Sequence, residues 1–178
     1  ALWHGRKAAF PAVGRISPDY YCMDGTIPRS QVGYVLTRIS ELSQKYGLRV
    51  ANVFHAGDGN LHPLILFDAS IDGELEQAEL LGGDILTLCV DVGGTITGEH
   101  GVGLEKMPQM PYQFGDAELA QFRRLKAAFD SEELLNPGKG IPTLKYCQEY
   151  RSLQHGWFNM ADLTQQLAQQ IQQACATK

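Results

Sequence analysis

With 178 residues, the chain is long enough for one domain with appendages, and its 44% apolar and 20% charged residues are typical of a globular protein. Its net charge of −5 argues against a nucleic-acid partner, because no basic stripe is available to contact phosphates. The four cysteines are scattered and form no CxxC pair, which favours reduced thiols and a cytoplasmic protein.

The first half of the chain predicts a strand, a helix and a hairpin, in that order. Residues 20–27 are β-prone. The helix that follows is expected to begin at Ser30 as its N-cap and to end before Gly47. Its apolar residues recur at three- and four-residue spacing: Val32, Val35, Leu36, Ile39, Leu42 and Tyr46. Residues 49–55 and 61–67 then predict an antiparallel pair joined by the tight turn Gly57-Asp58-Gly59-Asn60.

The second half predicts two further helices, over residues 74–92 and 117–129, with a short extended segment at residues 95–97 between them. The resulting order of strand, helix, strand, strand, helix and strand indicates an α+β fold. We expect an antiparallel sheet with helices on one face, close to the ferredoxin-like pattern. Residues 1–146 are expected to form this unit. Residues 147–178 are expected to form a C-terminal helical arm, because a Gln-rich stretch there has apolar residues at four-residue spacing.

Two glycine-flanked motifs contain the residues suited to chemistry. The first is His55-Ala56-Gly57-Asp58-Gly59-Asn60-Leu61-His62, and the second is Gly98-Glu99-His100-Gly101. A hairpin turn brings the two histidines of the first motif within reach of each other. Two imidazoles and a carboxylate form a plausible set of ligands for a divalent transition metal. The remaining histidine, next to the glutamate, is free to move a proton.

Each of these residues also has an ordinary structural interpretation. A single histidine is more often a satisfied structural residue than a ligand, and a Glu-His pair can form a hydrogen-bonded turn. Asp58 and Asn60 are common turn residues, as is the stretch Asn136-Pro137-Gly138-Lys139. Arg6 beside Trp3 could bind a carboxylate with two hydrogen bonds, although composition alone favours a solvated helix residue.

Four stretches of the sequence resemble one known family. They are HAGDGNLHPLILFD (residues 55–68), GGTITGEHGVGLEK (93–106), LNPGKG (135–140) and WHGRKAAFPAVGRISPDYYCMDGTIPR (3–29). The combination resembles the C-terminal, substrate-side domain of FAD-linked oxidases in the vanillyl-alcohol oxidase group. Within that group, the likeness points to the FAD-binding D subunits of bacterial glycolate oxidases and to D-lactate dehydrogenases.

The resemblance implies a flavoenzyme that oxidises a 2-hydroxy acid, such as glycolate or D-lactate, to a 2-oxo acid. By the same resemblance, His55, His62 and Glu99 hold a divalent, zinc-type metal and His100 is the catalytic base. The implied roles of the other residues are substrate carboxylate binding by Arg6, contact with FAD by Asn136, Gly138 and Lys139, and support of the site by Asp58 and Asn60.

The resemblance also implies how this chain binds FAD, which partners it has and where it is located. The chain begins without a methionine and contains no glycine-rich pyrophosphate loop in its N-terminal part, so we expect FAD to be bound mainly by a further domain and the isolated chain to be inactive. Glycolate oxidases of this group work with iron–sulfur and second flavin-type subunits, which implies such partners and peripheral attachment to the inner membrane through them. Self-association is left open. Two alternatives remain: a non-catalytic subunit-interaction module and a metal-dependent hydrolase without flavin.

Overall fold

The computed structural model describes Gly5 and residues 8–142, and it confirms the α+β class. The helices and strands, in chain order, are α1 (Ala9–Val13), β1 (Asp19–Cys22), β2 (Gly25–Thr26), α2 (Val32–Tyr46), β3 (Arg49–His55), β4 (Asn60–Phe67), α3 (Glu74–Asp91), α4 (Met110–Gln113) and α5 (Asp116–Phe129). Within these described residues, no helix has both the length and the apolar character needed to cross a bilayer. The arm expected at residues 147–178 lies outside the described residues.

Strand β4 is the centre of the sheet. It pairs antiparallel with β1 and β2 on one side and with β3 on the other. Helix α2 therefore connects two strands that are parallel to each other and separated by β4, which is the split βαβ arrangement of ferredoxin-like folds. The expected last strand, at residues 95–97, is reduced to a single antiparallel bridge between Thr26 and Thr95. The predicted order of elements is thus present, but residues 95–97 contribute only this one bridge to the sheet.

Two local predictions are wrong. The β-prone stretch 20–27 is not one strand, because it breaks into β1 and β2 at Asp24, whose backbone carbonyl accepts a hydrogen bond from the Gly98 N–H at 2.8 Å. Ser30 does not cap α2, because it lies inside a 3₁₀ turn, Arg29–Gln31, that precedes the helix. The end of α2 is as predicted: Gly47 has a φ of 70°, a left-handed conformation that glycine adopts without steric cost.

The two faces of the sheet are packed differently. On one face, the largest group of buried side chains joins the sheet to α2, α3 and α5, and it includes Ile39, Leu61, Ile65, Leu81, Ile85 and Leu119. On the other face, the short helix α1 contributes Val13 to a small cluster with Leu64 and Leu66. Since side chains alternate along a strand, His62 points to the same face as Leu64 and Leu66. The candidate site therefore lies on the sheet face opposite helices α2 and α3.

Candidate functional site

The β3–β4 hairpin brings the two histidines of the first motif together. His55 is the last residue of β3 and pairs with Asn60, so His62, two residues further along β4, points to the same face. The ring centroids of His55 and His62 are 5.3 Å apart and the rings are nearly perpendicular, at 81°. The turn between them is closed by the backbone N–H groups of Asp58 and Gly59, which donate to the His55 carbonyl at 3.0 and 3.1 Å.

The second motif supplies Glu99 and His100 to the same place. Oε1 of Glu99 lies 3.0 Å from Nε2 of His62, 3.7 Å from Nε2 of His55 and 4.0 Å from Nε2 of His100. The His100 ring stacks on the His62 ring, with centroids 5.0 Å apart and an interplanar angle of 21°. One carboxylate oxygen is therefore surrounded by three imidazoles, although these residues come from three separate points in the sequence.

The hydrogen bonds of His62 indicate how its ring is protonated. Its Nδ1 lies 3.2 Å from the Met23 carbonyl oxygen, which can only accept, so Nδ1 carries a proton. Its Nε2 then directs a lone pair toward the Glu99 carboxylate, which is also an acceptor. A proton or a cation between Nε2 of His62 and Oε1 of Glu99, which lie 3.0 Å apart, satisfies both acceptor atoms. Fixing Nδ1–H on a carbonyl is how proteins orient a metal-binding histidine.

The buried amide of Asn60 gives a further indication of a missing partner. Its Nδ2 lies 3.5 Å from Nε2 of His62. Its Oδ1 is buried and has no hydrogen-bond partner among the described residues. Buried polar atoms are normally paired with protein, water or an ion. His62, Glu99 and His100 belong to one set of ligand atoms within 4.8 Å of one another, and His55 lies beside this set, with its Nε2 3.7 Å from Oε1 of Glu99. The imidazole and carboxylate donors gathered here fit a divalent cation that prefers nitrogen and oxygen ligands.

Asp24 lies directly behind the second motif and is fully buried. Its carboxylate accepts hydrogen bonds from the backbone N–H groups of residues 98–100, from the Thr97 hydroxyl and from the Lys106 ammonium. Burial alone would raise the pKa of this carboxyl, but the hydrogen bonds from the His100 N–H, Thr97 and Lys106 outweigh it and hold the pKa well below its usual range. Asp24 is therefore an anion at neutral pH.

Cys22 also reaches the edge of the site. A sulfur–nitrogen–nitrogen set of Cys22, His62 and His100 has its ligand atoms within 4.8 Å of one another. Burial, followed by the nearby Asp24 carboxylate, raises the pKa of the Cys22 thiol to about 11. The sulfur is thus a protonated thiol at neutral pH, and a thiol is a poorer ligand than a thiolate. The nitrogen and oxygen donors are the stronger candidates.

An apolar cavity of about 600 Å³, with no histidine in its lining, lies between α5 and residues 95–102. Its lining includes Phe114, Phe122, Leu125 and Phe129. Such a surface has few groups that could orient a small polar molecule, so the histidine cluster is the better candidate for chemistry.

Comparison with known proteins agrees with these motifs. Residues 1–140 match the family described as "FAD linked oxidases, C-terminal domain", which covers most of the chain. The chain belongs to this family. The family membership confirms the resemblance read from the sequence, and it links the chain to FAD.

Relatives with assigned activities are similar to this C-terminal domain of FAD-linked oxidases. "Glycolate oxidase subunit GlcD" of Escherichia coli (strain K12) is 63% identical over 164 residues, which cover 91% of this chain and 33% of the relative. The protein of the same name from Bacillus subtilis (strain 168) is 38% identical, over 78% of this chain and 30% of the relative. "D-lactate dehydrogenase [cytochrome], mitochondrial" of Arabidopsis thaliana is 34% identical, over 79% of this chain and 25% of the relative. The chain thus spans a third or less of these relatives.

The other residues predicted for the site of this FAD-linked oxidase domain differ in their exposure and in their connection to the histidines. Asp58 is exposed at the hairpin turn, whereas Asn60 is buried beside His62. Arg6 lies outside the described residues. Asn136 and Lys139 are exposed, and Asn136 and Gly138 have φ values of 48° and 69°. A hydrogen bond from the Gly140 N–H to the Gly103 carbonyl, at 2.7 Å, links the segment after this loop to the residues that follow the second motif. Their roles toward FAD stay predictions.

Sequence reasoning missed the group behind the motif, namely Asp24, Thr97 and Lys106. Asp24 interrupts a β-prone stretch in the sequence Met-Asp-Gly, and a charged residue inside such a stretch was the available signal. Lys106 gave no such signal, because a single lysine after Glu105 is ordinary surface composition. Their pairing depends on tertiary structure and could not be derived from either position alone.

Proposed function

We propose that this chain is the substrate- and metal-binding part of an FAD-dependent oxidoreductase that converts a small 2-hydroxy acid, such as glycolate or D-lactate, to the 2-oxo acid. The proposal is supported chiefly by one observation: His55, His62 and His100 surround a single oxygen of Glu99 in a chain of the FAD-linked oxidase family. The relatives named for glycolate and D-lactate support the substrate class.

In this proposal, His55, His62 and Glu99 hold a divalent, zinc-type cation. Such a cation, when bound, would withdraw electron density from the substrate's 2-hydroxyl and favour loss of its proton. His62 is suited to this role because its Nδ1 is fixed on the Met23 carbonyl and its Nε2 faces Glu99. His55 is more exposed, with 38% of its side chain accessible, and it closes the set from the hairpin end.

His100 is the group proposed to accept the hydroxyl proton. Its side chain is about half exposed and stacks on His62, so it stands beside the candidate cation ligands and can exchange protons with solvent. Arg6 is proposed, by resemblance, to bind the substrate carboxylate. FAD would supply the acceptor for the C2 hydrogen and its electron pair. By resemblance, FAD is proposed to be bound mainly by a further domain, and the exposed loop at residues 136–139 is proposed to contact it.

The family also supports proposed partners. Two of the relatives are named as subunits, which supports the proposal that this chain works with partner subunits. The iron–sulfur and second flavin type of these partners is proposed from the sequence resemblance alone. The family match favours the oxidoreductase over the hydrolase alternative. A role in subunit contact is compatible with the proposal, and a cytoplasmic location stays a prediction.

The proposal is tested with a chimera in which this chain replaces the matching third of the Escherichia coli subunit. In extracts of cells that lack their own subunit, we expect dye reduction that depends on glycolate or D-lactate. We expect a chelator to abolish it and zinc or manganese to restore it, because the cation activates the hydroxyl. A chimera that retains its flavin absorbance but oxidises neither acid would contradict the proposed function. Activity that survives complete metal removal would contradict the role of the cation.

A further inference from the structure

The second motif is built around an internal anion. The backbone N–H groups of Gly98, Glu99 and His100 all point at Oδ2 of Asp24, at 3.0, 3.1 and 2.8 Å. Successive N–H groups arranged in this way form a concavity that binds anions. In this chain the concavity is filled by a side chain that comes from the break between β1 and β2.

The charge of that anion is balanced inside the protein. Nζ of Lys106 lies 3.1 Å from Oδ2 of Asp24, and the side chains of Lys106 and Asp24 are 3% and 0% exposed. The Thr97 hydroxyl donates to the same oxygen at 2.8 Å and lies 3.3 Å from Nζ of Lys106. A buried ion pair is tolerated only when its geometry is good and its remaining hydrogen-bonding groups are satisfied. The close approach of the two charges and a second acceptor for Lys106, Oγ1 of Thr97, favour this pair.

Asp24 has two conceivable roles, because its carboxylate belongs to a set of ligand atoms, with His62, Glu99 and His100, that lie within 4.8 Å of one another. It could be a fourth ligand or a support for the others. Oδ2 already accepts hydrogen bonds from three backbone N–H groups, a hydroxyl and an ammonium, and Oδ1 accepts one from the Glu99 N–H at 3.2 Å. An oxygen whose lone pairs are occupied in this way is a support.

We infer that Asp24, paired with Lys106, is a positioning residue that holds Glu99 and His100 on the same side of the chain, toward His62. The inference rests on the proposed function for the roles of those two side chains. Adjacent residues in extended backbone point to opposite faces. Here the three N–H groups converge on one carboxylate, which bends the backbone, and both side chains reach the site.

Asp24→Asn tests the inference, because asparagine keeps the size of the side chain but loses the negative charge that gathers the N–H groups. Zinc binding to the chain is measured by calorimetry, and exchange of the amide hydrogens of residues 98–100 is measured by NMR. We expect zinc affinity to fall about 10- to 100-fold, the usual effect of removing a group that orients metal ligands. We also expect faster exchange of the Glu99 and His100 amides, and a smaller change at Gly98, whose N–H also donates to the Asp24 backbone carbonyl at 2.8 Å.

Asp130→Asn is the matched control. Asp130 is buried as well, accepts hydrogen bonds from the Leu134 and Leu135 N–H groups, and pairs with Lys126. It is therefore a similar carboxylate that accepts hydrogen bonds from successive backbone N–H groups, in another loop. Its loss is expected to lower stability and to leave zinc affinity and the exchange of amides 98–100 unchanged, which separates positioning from general destabilisation.

Thr97→Val keeps the inference testable if Asp24→Asn fails to fold, because valine has nearly the shape of threonine and leaves the Asp24 carboxylate in place. It removes one hydrogen bond to Asp24, together with the contacts of the Thr97 hydroxyl with Lys106 and the Gly101 N–H. We expect changes in the same direction and of smaller size. A folded Asp24→Asn or Thr97→Val protein with the zinc affinity and amide exchange of the unsubstituted chain would overturn the inference. If the unsubstituted chain binds no zinc, the proposed cation site fails, and amide exchange alone decides the positioning role.

Discussion

His100→Gln is expected to lower kcat of the chimera by about 100- to 10,000-fold for glycolate or D-lactate, which is the usual contribution of a general base. Glutamine keeps a polar side chain of similar reach but cannot take up a proton at neutral pH. The ring of His100 stands beside the candidate cation ligands without being held by Glu99, since its Nε2 is 4.0 Å from Oε1. The measurement is steady-state dye reduction at saturating substrate.

Zinc affinity distinguishes a base from a ligand at this position. His100→Gln should leave zinc binding to the chain unchanged, whereas His55→Ala should weaken it. His155→Gln serves as the control of the same chemistry, because His155 lies beyond the residues that match the family, and full activity is expected. Retained turnover in His100→Gln would contradict the assignment of the base. If His100→Gln weakened zinc binding as strongly as it lowered turnover, His100 would be a ligand of the cation.

Gly59→Ala is expected to lower the free energy of unfolding by about 2–5 kcal/mol, the sum of left-handed backbone strain and overpacking. Gly59 has a φ of 74°, and a Cβ at this position would lie 2.1 Å from the Ile27 backbone oxygen. Backbone on both sides leaves little room for relaxation, because the Ile27 N–H donates to the Gly59 carbonyl at 2.9 Å. Urea unfolding followed by circular dichroism measures the change.

Gly57→Ala is the control within the same turn. A Cβ at Gly57 would meet no atom within 4 Å, so we expect a change within about 0.5 kcal/mol, as for most surface substitutions. Equal stability of the two variants would show that the turn does not require glycine at residue 59. It would also remove the steric explanation for the close approach of the hairpin to β2.

The hairpin shows what local pattern can predict. The turn chemistry of residues 57–60 between two β-prone stretches predicts a hairpin that brings His55 and His62 within reach of each other, and the register puts both on one face. The order of strands and helices also predicts the split βαβ topology. These features depend on residues close in sequence, so a single sequence contains the information.

The group behind the site depends on contacts between distant residues. Asp24 is 73 to 82 positions away from the groups that it gathers between Thr97 and Lys106. No local periodicity encodes such a contact. The sequence accordingly left open how the adjacent side chains of Glu99 and His100 could face the same site. The bend imposed at residues 98–100 explains it, and that bend exists only once β2 and the 95–100 segment lie side by side.

Zinc titration of the purified chain, compared with its His62→Ala variant, tests the central claim most directly. We expect the chain to bind one equivalent of zinc, which a chelator removes. We expect His62→Ala to lower the zinc affinity by more than about 100-fold, because removing a ligand should cost more affinity than removing a residue that orients one. His155→Gln should bind as the unsubstituted chain does. Folded chain that binds no zinc, or His62→Ala protein that binds it equally well, would contradict the assignment of these histidines to a cation site.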